Sequence, residues 1–84
     1  VAYRIVTDLQ VRAQIRALPA EVLPLLADAV GVLELTPWNG RPYNEADPEG
    51  WMRQLDFADG RGFITYLVLD DQHRVDVLNV TWFG

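Results

Sequence analysis

The spacing of apolar positions along this chain changes period twice. Residues 2–7 alternate, with Tyr3 and Ile5 on one side, and this predicts a short strand. Thr7 or Asp8 then offers a helix cap, and Val11, Ile15 and Leu18 recur at helical spacing. A first helix is therefore expected to about Leu18, with Asp8 and Arg12 pairing on its solvent face. Pro19 ends that helix and opens a second, from about Ala20 to Leu35. Val22, Leu25, Leu26, Ala29, Val32 and Leu33 are its expected inward face. Pro24 costs little in the first turn, whereas Gly31 weakens the helix by about 1 kcal/mol relative to Ala. So tight a join predicts an antiparallel αα-hairpin.

Beyond Leu35 the period becomes two. Residues 36–50 come first, a loop with three Pro, two Gly and the aromatics Trp38 and Tyr43. That composition favours an ordered, packed loop, and loops of this length in compact domains are usually functional or disordered. A strand follows from Trp51 to Phe57, with Trp51, Arg53, Leu55 and Phe57 on one side and Met52, Gln54 and Asp56 on the other. Phe63 to Leu69 is apolar on both sides, the mark of a central strand. Arg74 to Phe83 alternates less cleanly, with Asn79 and Thr81 opposite Leu78, Val80 and Trp82. The expected fold is α+β in the order β-α-α-β-β-β. An N-terminal strand and an αα-hairpin pack on a twisted four-stranded sheet that ends in an antiparallel meander.

Composition narrows the chemistry. At 84 residues the chain is expected to be a single domain, 1–84. It has no Cys, Ser or Lys and a single His. Serine nucleophiles, lysine Schiff bases, P-loop lysines, disulfides and Cys- or His-rich metal sites are thereby excluded. No apolar run approaches a membrane span, and the N-terminus does not read as a signal peptide. Val1 in place of Met reads as a trimmed start. Net charge is −5 and unevenly spread. Residues 36–84 hold four Arg against eight Asp and Glu, a balance of −4, so the sheet half argues against general nucleic-acid affinity.

Several residues are candidates for chemistry, each with a plainer alternative. Arg53 shares a strand face with Trp51. A guanidinium there can grip a phosphate through paired hydrogen bonds, and such a contact would be dispensable for stability; the alternative is an edge Arg paired with a carboxylate. Arg61 lies in Asp59-Gly60-Arg61-Gly62, which is also hairpin-turn chemistry with a solvated Arg. Arg41, flanked by Trp38 and Tyr43, forms a recognition patch or caps the core. Trp82 and Phe83 stack on a base or pack in the core. Glu45, Asp47 and Glu49 offer a general base or a solvated acidic loop, and His73 reads as a solvated turn residue.

The run Gly50-Trp51-Met52-Arg53-Gln54-Leu55, the phrase Ile-Thr-Tyr-Leu-Val-Leu-Asp-Asp and the element order together resemble the RelE/ParE superfamily of bacterial toxins. The resemblance covers nearly the whole chain. It implies a cytoplasmic toxin of a type II toxin–antitoxin pair, acting as a metal-free, cofactor-free mRNA endoribonuclease on the ribosome or, in the ParE branch, against gyrase. It also implies a cognate antitoxin protein as partner. Carried onto this chain, Arg53 and Arg61 become the catalytic candidates and Arg41, Trp51 and Trp82 the substrate contacts. The chain departs from the pattern in two places. Arg61 precedes Tyr66 by five positions instead of three, and the terminal Arg or His and Tyr of active members are replaced by Val80, Thr81, Trp82 and Phe83. Trp and Phe cannot exchange a proton at a reacting oxygen. The rival expectation is a non-catalytic protein of the same fold, acting through protein contacts as a homodimer or with a partner.

Overall fold

The computed structural model describes residues 2–84. Its elements are β1 (Arg4–Val6), α1 (Leu9–Arg16), α2 (Leu23–Leu35), β2 (Arg41–Pro42), β3 (Met52–Phe57), β4 (Gly62–Leu69) and β5 (Arg74–Trp82). The α+β class and the element order are those expected from the periods. The sheet, however, has five strands, in the order β1-β5-β4-β3-β2. The added strand, β2, comes from within the 36–50 loop. Two residues are too few to show a period, and only pairing with β3, Arg41 to Gln54 and Pro42 to Arg53, defines it.

Local chemistry explains the helix bounds. The Asp8 carboxylate accepts from the Val11 amide at 2.8 Å and caps α1. This use of Asp8 corrects the expected Asp8–Arg12 pair, because Arg12 turns instead to the Thr7 hydroxyl and carbonyl. Helix α1 stops at Arg16, two residues early, and Leu18 is buried from the connection that follows. Pro19 is extended, and a 3-10 turn over Ala20–Val22 leads into α2. Val22, Leu26, Ala29 and Leu33 are buried, whereas Leu25 faces solvent, because the apolar stripe is narrower than the run of apolar letters.

Strand β4 is central, as its two apolar faces require. Ile64, Tyr66 and Val68 point into the core formed with Val11, Leu18, Val22, Leu26 and Leu33. The other sheet face, lined by Phe63, Thr65 and Leu67, is not covered by the helices. Strand β5 antiparallels β4 and pairs parallel to β1 through Arg74, Val75 and Asp76 only. Its uneven alternation has a cause. Thr65 opposes Asn79 while Tyr66 opposes Val77, so Leu78 is the extra residue of a bulge and is pushed outward. The bulge resets the phase so that Val77 and Val80 both face the core. Beyond Asp76 this strand would be an open edge. Gln14 of α1 closes it, accepting from the Val80 amide at 2.7 Å and donating to Asn79 at 2.6 Å.

Candidate functional site

The five arginine and tryptophan candidates fall at four separate places. Arg53 is on the helix-covered face and buried, at 8% exposure. Its Nε and Nη2 donate to the Gly40 carbonyl at 3.0 and 2.8 Å, and Nη1 donates to the carbonyls of Pro48 and Gly50, both at 3.2 Å. Its guanidinium also lies 5.2 Å from the Trp38 ring centre. Neither an edge position nor a carboxylate partner is involved. The planar fork is spent on holding the 36–50 loop against the sheet.

Tyr66, opposite Arg53 in the register, completes this clamp. Its hydroxyl donates to the Pro37 carbonyl at 2.7 Å, deep in the core. Burial raises its pKa, opposed by the Gly40 amide and the Arg53 charge. Gly40 is where the loop meets both side chains. A Cβ there would sit 2.2 Å from the Tyr66 hydroxyl and 2.5 Å from the Gln54 carbonyl oxygen. Because burial raises its pKa, the folded chain favours protonated Tyr66, and this contribution to stability is complete below about pH 10, the ordinary tyrosine value. It is lost as pH rises through the raised folded value. Tyr66→Phe is expected to cost about 1–2 kcal/mol near neutral pH, because the Pro37 carbonyl loses its donor. The variant should also show a shallower loss of stability above about pH 10. Urea unfolding across pH checks both, and an unchanged alkaline limb would discount the clamp.

Arg61 lies at the far end of the β3–β4 hairpin, roughly 17 Å along the strand from Arg53. The structure thus does not join the two into one phosphate site. Arg61 Nε donates to the Ala58 carbonyl at 3.2 Å, and its guanidinium is 5.3 Å from the Trp82 ring centre. Trp82 stacks against the buried Phe57, 6.0 Å between centres, so its ring packs in the wall of the core. Arg61 is exposed, and the turn around it holds Ala58, Asp59 and Gly60 at positive φ.

Arg41 occupies the uncovered sheet face. It pairs with Asp56 at 2.8 Å, donates to Gln54 at 3.2 Å and lies 6.0 Å from the Phe63 ring centre. Phe83 packs on Phe63 from the last residues of the chain, at 5.6 Å. The carboxylates that the register places on this face, Asp56 and Asp76, are each held in an ion pair, with Arg41 and Arg74. Trp51 stands apart at the opposite end, 62% exposed, beside Tyr43. His73 is exposed in the turn and stacks on Tyr3 at 4.0 Å. Tyr3 and Trp38 both donate to the Asp70 carboxylate. The Tyr3 hydroxyl, then the Trp38 N–H, hold the Asp70 pKa below its ordinary value, and Asp70 raises that of Tyr3.

Sequence reasoning missed the Gly40–Arg53–Tyr66 clamp and the Arg41–Asp56 pair. One signal was present for the first, a hydroxyl in the middle of an apolar central strand, which needs a buried acceptor. Among the described residues no group of three or more His, Cys, Asp or Glu side chains converges on a metal position. None of the helices there is long and apolar enough to cross a membrane.

No family model matches this chain, and no curated protein sequence matches it. Solved structures match along almost all of it. The toxin–antitoxin complex RelBE2 from Mycobacterium tuberculosis superposes with a TM-score of 0.79 at 21% identity, over 98% of this chain and 99% of that one. A mutant of the E. coli toxin RelE in the free state gives 0.76 at 18% identity, over 98% and 84%. The archaeal RelE–RelB complex from Pyrococcus horikoshii gives 0.69 at 16%, over 100% and 98%. The chain thus has the fold of these RelE structures, at 16–21% sequence identity.

Proposed function

We propose that this RelE-fold chain is the toxin-like subunit of a bacterial toxin–antitoxin pair and acts in the cytoplasm through contacts with other proteins. The observation that carries the reading is the superposition over 98% of the chain on the RelBE2 complex, in which a toxin is joined to its antitoxin. Leu9, Leu23, Leu25 and Leu35 support it, being exposed on or beside the helices, where a partner would bury them. Without a partner, the same surfaces favour a homodimer.

Cleavage of mRNA is the second reading, and it rests on the exposed guanidiniums of Arg41 and Arg61. Two features stand against it. Arg53 is committed to backbone carbonyls, and the carboxylates on the uncovered face are committed to arginines.

The test is expression in a bacterial host. Growth should arrest with the chain alone and recover when a small adjacent reading frame is co-expressed, with the two products purifying together. A chain that leaves growth untouched and purifies alone as a monomer beside that product overturns the proposal. In the same assay the double variant Arg41→Ala/Arg61→Ala should still arrest growth. Loss of arrest in a variant with unchanged thermal midpoint would restore RNA cleavage to first place.

A further inference from the structure

A groove of about 860 Å³ opens between the 43–51 loop and the uncovered sheet face, lined chiefly by Tyr43, Asp47, Glu49, Trp51, Met52 and Leu67. We propose that this groove docks an extended, arginine- or lysine-bearing segment of a partner protein. The inference does not depend on the toxin reading and stands whatever the partner's other activities.

Three observations point to that occupant. The first is the apolar surface. Trp51 and Tyr43 are 62% and 57% exposed, side by side with Met52. They are held out by a loop that the Arg53 clamp fixes from behind, through the carbonyls of Pro48 and Gly50. The aromatic faces are therefore presented on a rigid support, and little ordering entropy is lost on binding.

The second is charge. The groove's lining contains Asp47 and Glu49 and no Arg or Lys. A neighbouring hollow, on the other flank of Trp51, is lined by Asp70 and Asp71. Among the described residues no ion pair reaches Asp47, Glu49 or Asp71, although the ion pairs Arg41–Asp56 and Arg74–Asp76 form elsewhere on the sheet. Asp70 stays ionised, because the hydrogen bonds of Tyr3 and Trp38 favour its charged form. Carboxylates that flank exposed aromatic rings attract a guanidinium or ammonium twice over, by ion pairing and by cation–π contact. The same charges repel a phosphate backbone.

The third is the backbone. The Trp51 carbonyl accepts from the Val68 amide and the Met52 carbonyl from the Tyr43 amide, both at 2.9 Å. The groove floor thus offers side chains and not these sheet carbonyls. Recognition would run through the partner's side chains, cationic ones on the carboxylates and aliphatic ones on Met52 and Leu67.

A labelled peptide of about eight alternating Arg and Leu residues, compared with its Glu–Leu counterpart, tests this by fluorescence anisotropy at roughly 0.05 M salt, where screening is weak. The Arg–Leu peptide should bind and the Glu–Leu peptide should not. The double variant Asp47→Asn/Glu49→Gln should weaken binding about fivefold, and Trp51→Ala by a similar factor. A control with the same charge change on the helix side, Glu21→Gln/Asp28→Asn, should change affinity by less than about twofold. All these side chains are exposed, so thermal midpoints should stay within a few degrees of the parent. Equal weakening by the control would reduce the effect to net charge and overturn the assignment. So would binding of the Glu–Leu peptide, or binding of a labelled oligouridylate that Trp51→Ala abolishes.

Discussion

Gly40→Ala is expected to be the most damaging single methyl that can be added to this chain. Gly40 has ordinary extended backbone angles, φ −73° and ψ 162°, so the cost is purely one of space. The new Cβ would lie 2.2 Å from the Tyr66 hydroxyl and 2.5 Å from the carbonyl oxygen of Gln54. The second contact is with backbone in the middle of β3 and has no rotamer by which to escape. Relief requires the loop to lift off the sheet. That movement takes with it the Gly40 carbonyl, which accepts two bonds from Arg53, and the Pro37 carbonyl, which accepts from Tyr66. Overpacking alone costs about 1–3 kcal/mol, and the displaced hydrogen bonds add to it, so a loss of about 3 kcal/mol or more is expected. In a domain of this size that lowers the thermal midpoint by roughly 10–20 °C. Calorimetry on the purified variant decides it; a fall of only a few degrees would mean that the loop is not seated as described.

Arg53→Ala should be the next most costly. It removes four hydrogen bonds to the three carbonyls of Gly40, Pro48 and Gly50, in a setting that admits little water. Bonds from a charged donor are worth about 1.5–3 kcal/mol each when net desolvation is counted, and they are not additive. A total of about 3 kcal/mol is a conservative expectation, again roughly 10–20 °C in midpoint. Arg53→Lys should recover less than half of this, because an ammonium cannot reproduce the planar fork that grips Gly40 twice. Read from the sequence, Arg53 is either an edge Arg paired with a carboxylate or a phosphate contact whose removal spares stability. The structure gives the opposite expectation, and thermal melts of the two variants discriminate between them. Loss of a biological effect in Arg53→Ala therefore says little about phosphate chemistry unless the melt is measured beside it. Arg41 and Arg61, both exposed, are the arginines whose substitution separates function from folding.

The sequence by itself determined the order and kind of the main elements. Helical spacing at Val11, Val22, Leu26 and Leu33 and two-residue spacing from Arg53 to Phe57 are properties of the letters, and the chain has few ways to bury them. The two apolar faces of residues 63–69 likewise fixed β4 at the centre of the sheet. What the letters left open was decided by contacts between residues far apart. Alternation divides a strand into two faces but does not say which the helices will cover, and so Arg53 and Arg41, candidates for neighbouring roles, came to lie on opposite sides of the sheet. A two-residue strand at Arg41–Pro42 exists only because β3 offers partners, and the bulge at Leu78 only because β4 sets the register. The burial of Arg53 depends on three carbonyls supplied by residues 40, 48 and 50, whose positions follow from the path of a loop that has no period at all. Local periodicity is carried by neighbouring side chains and is legible in one dimension. The satisfaction of a buried guanidinium is a property of three-dimensional closure, and only the folded chain decides it.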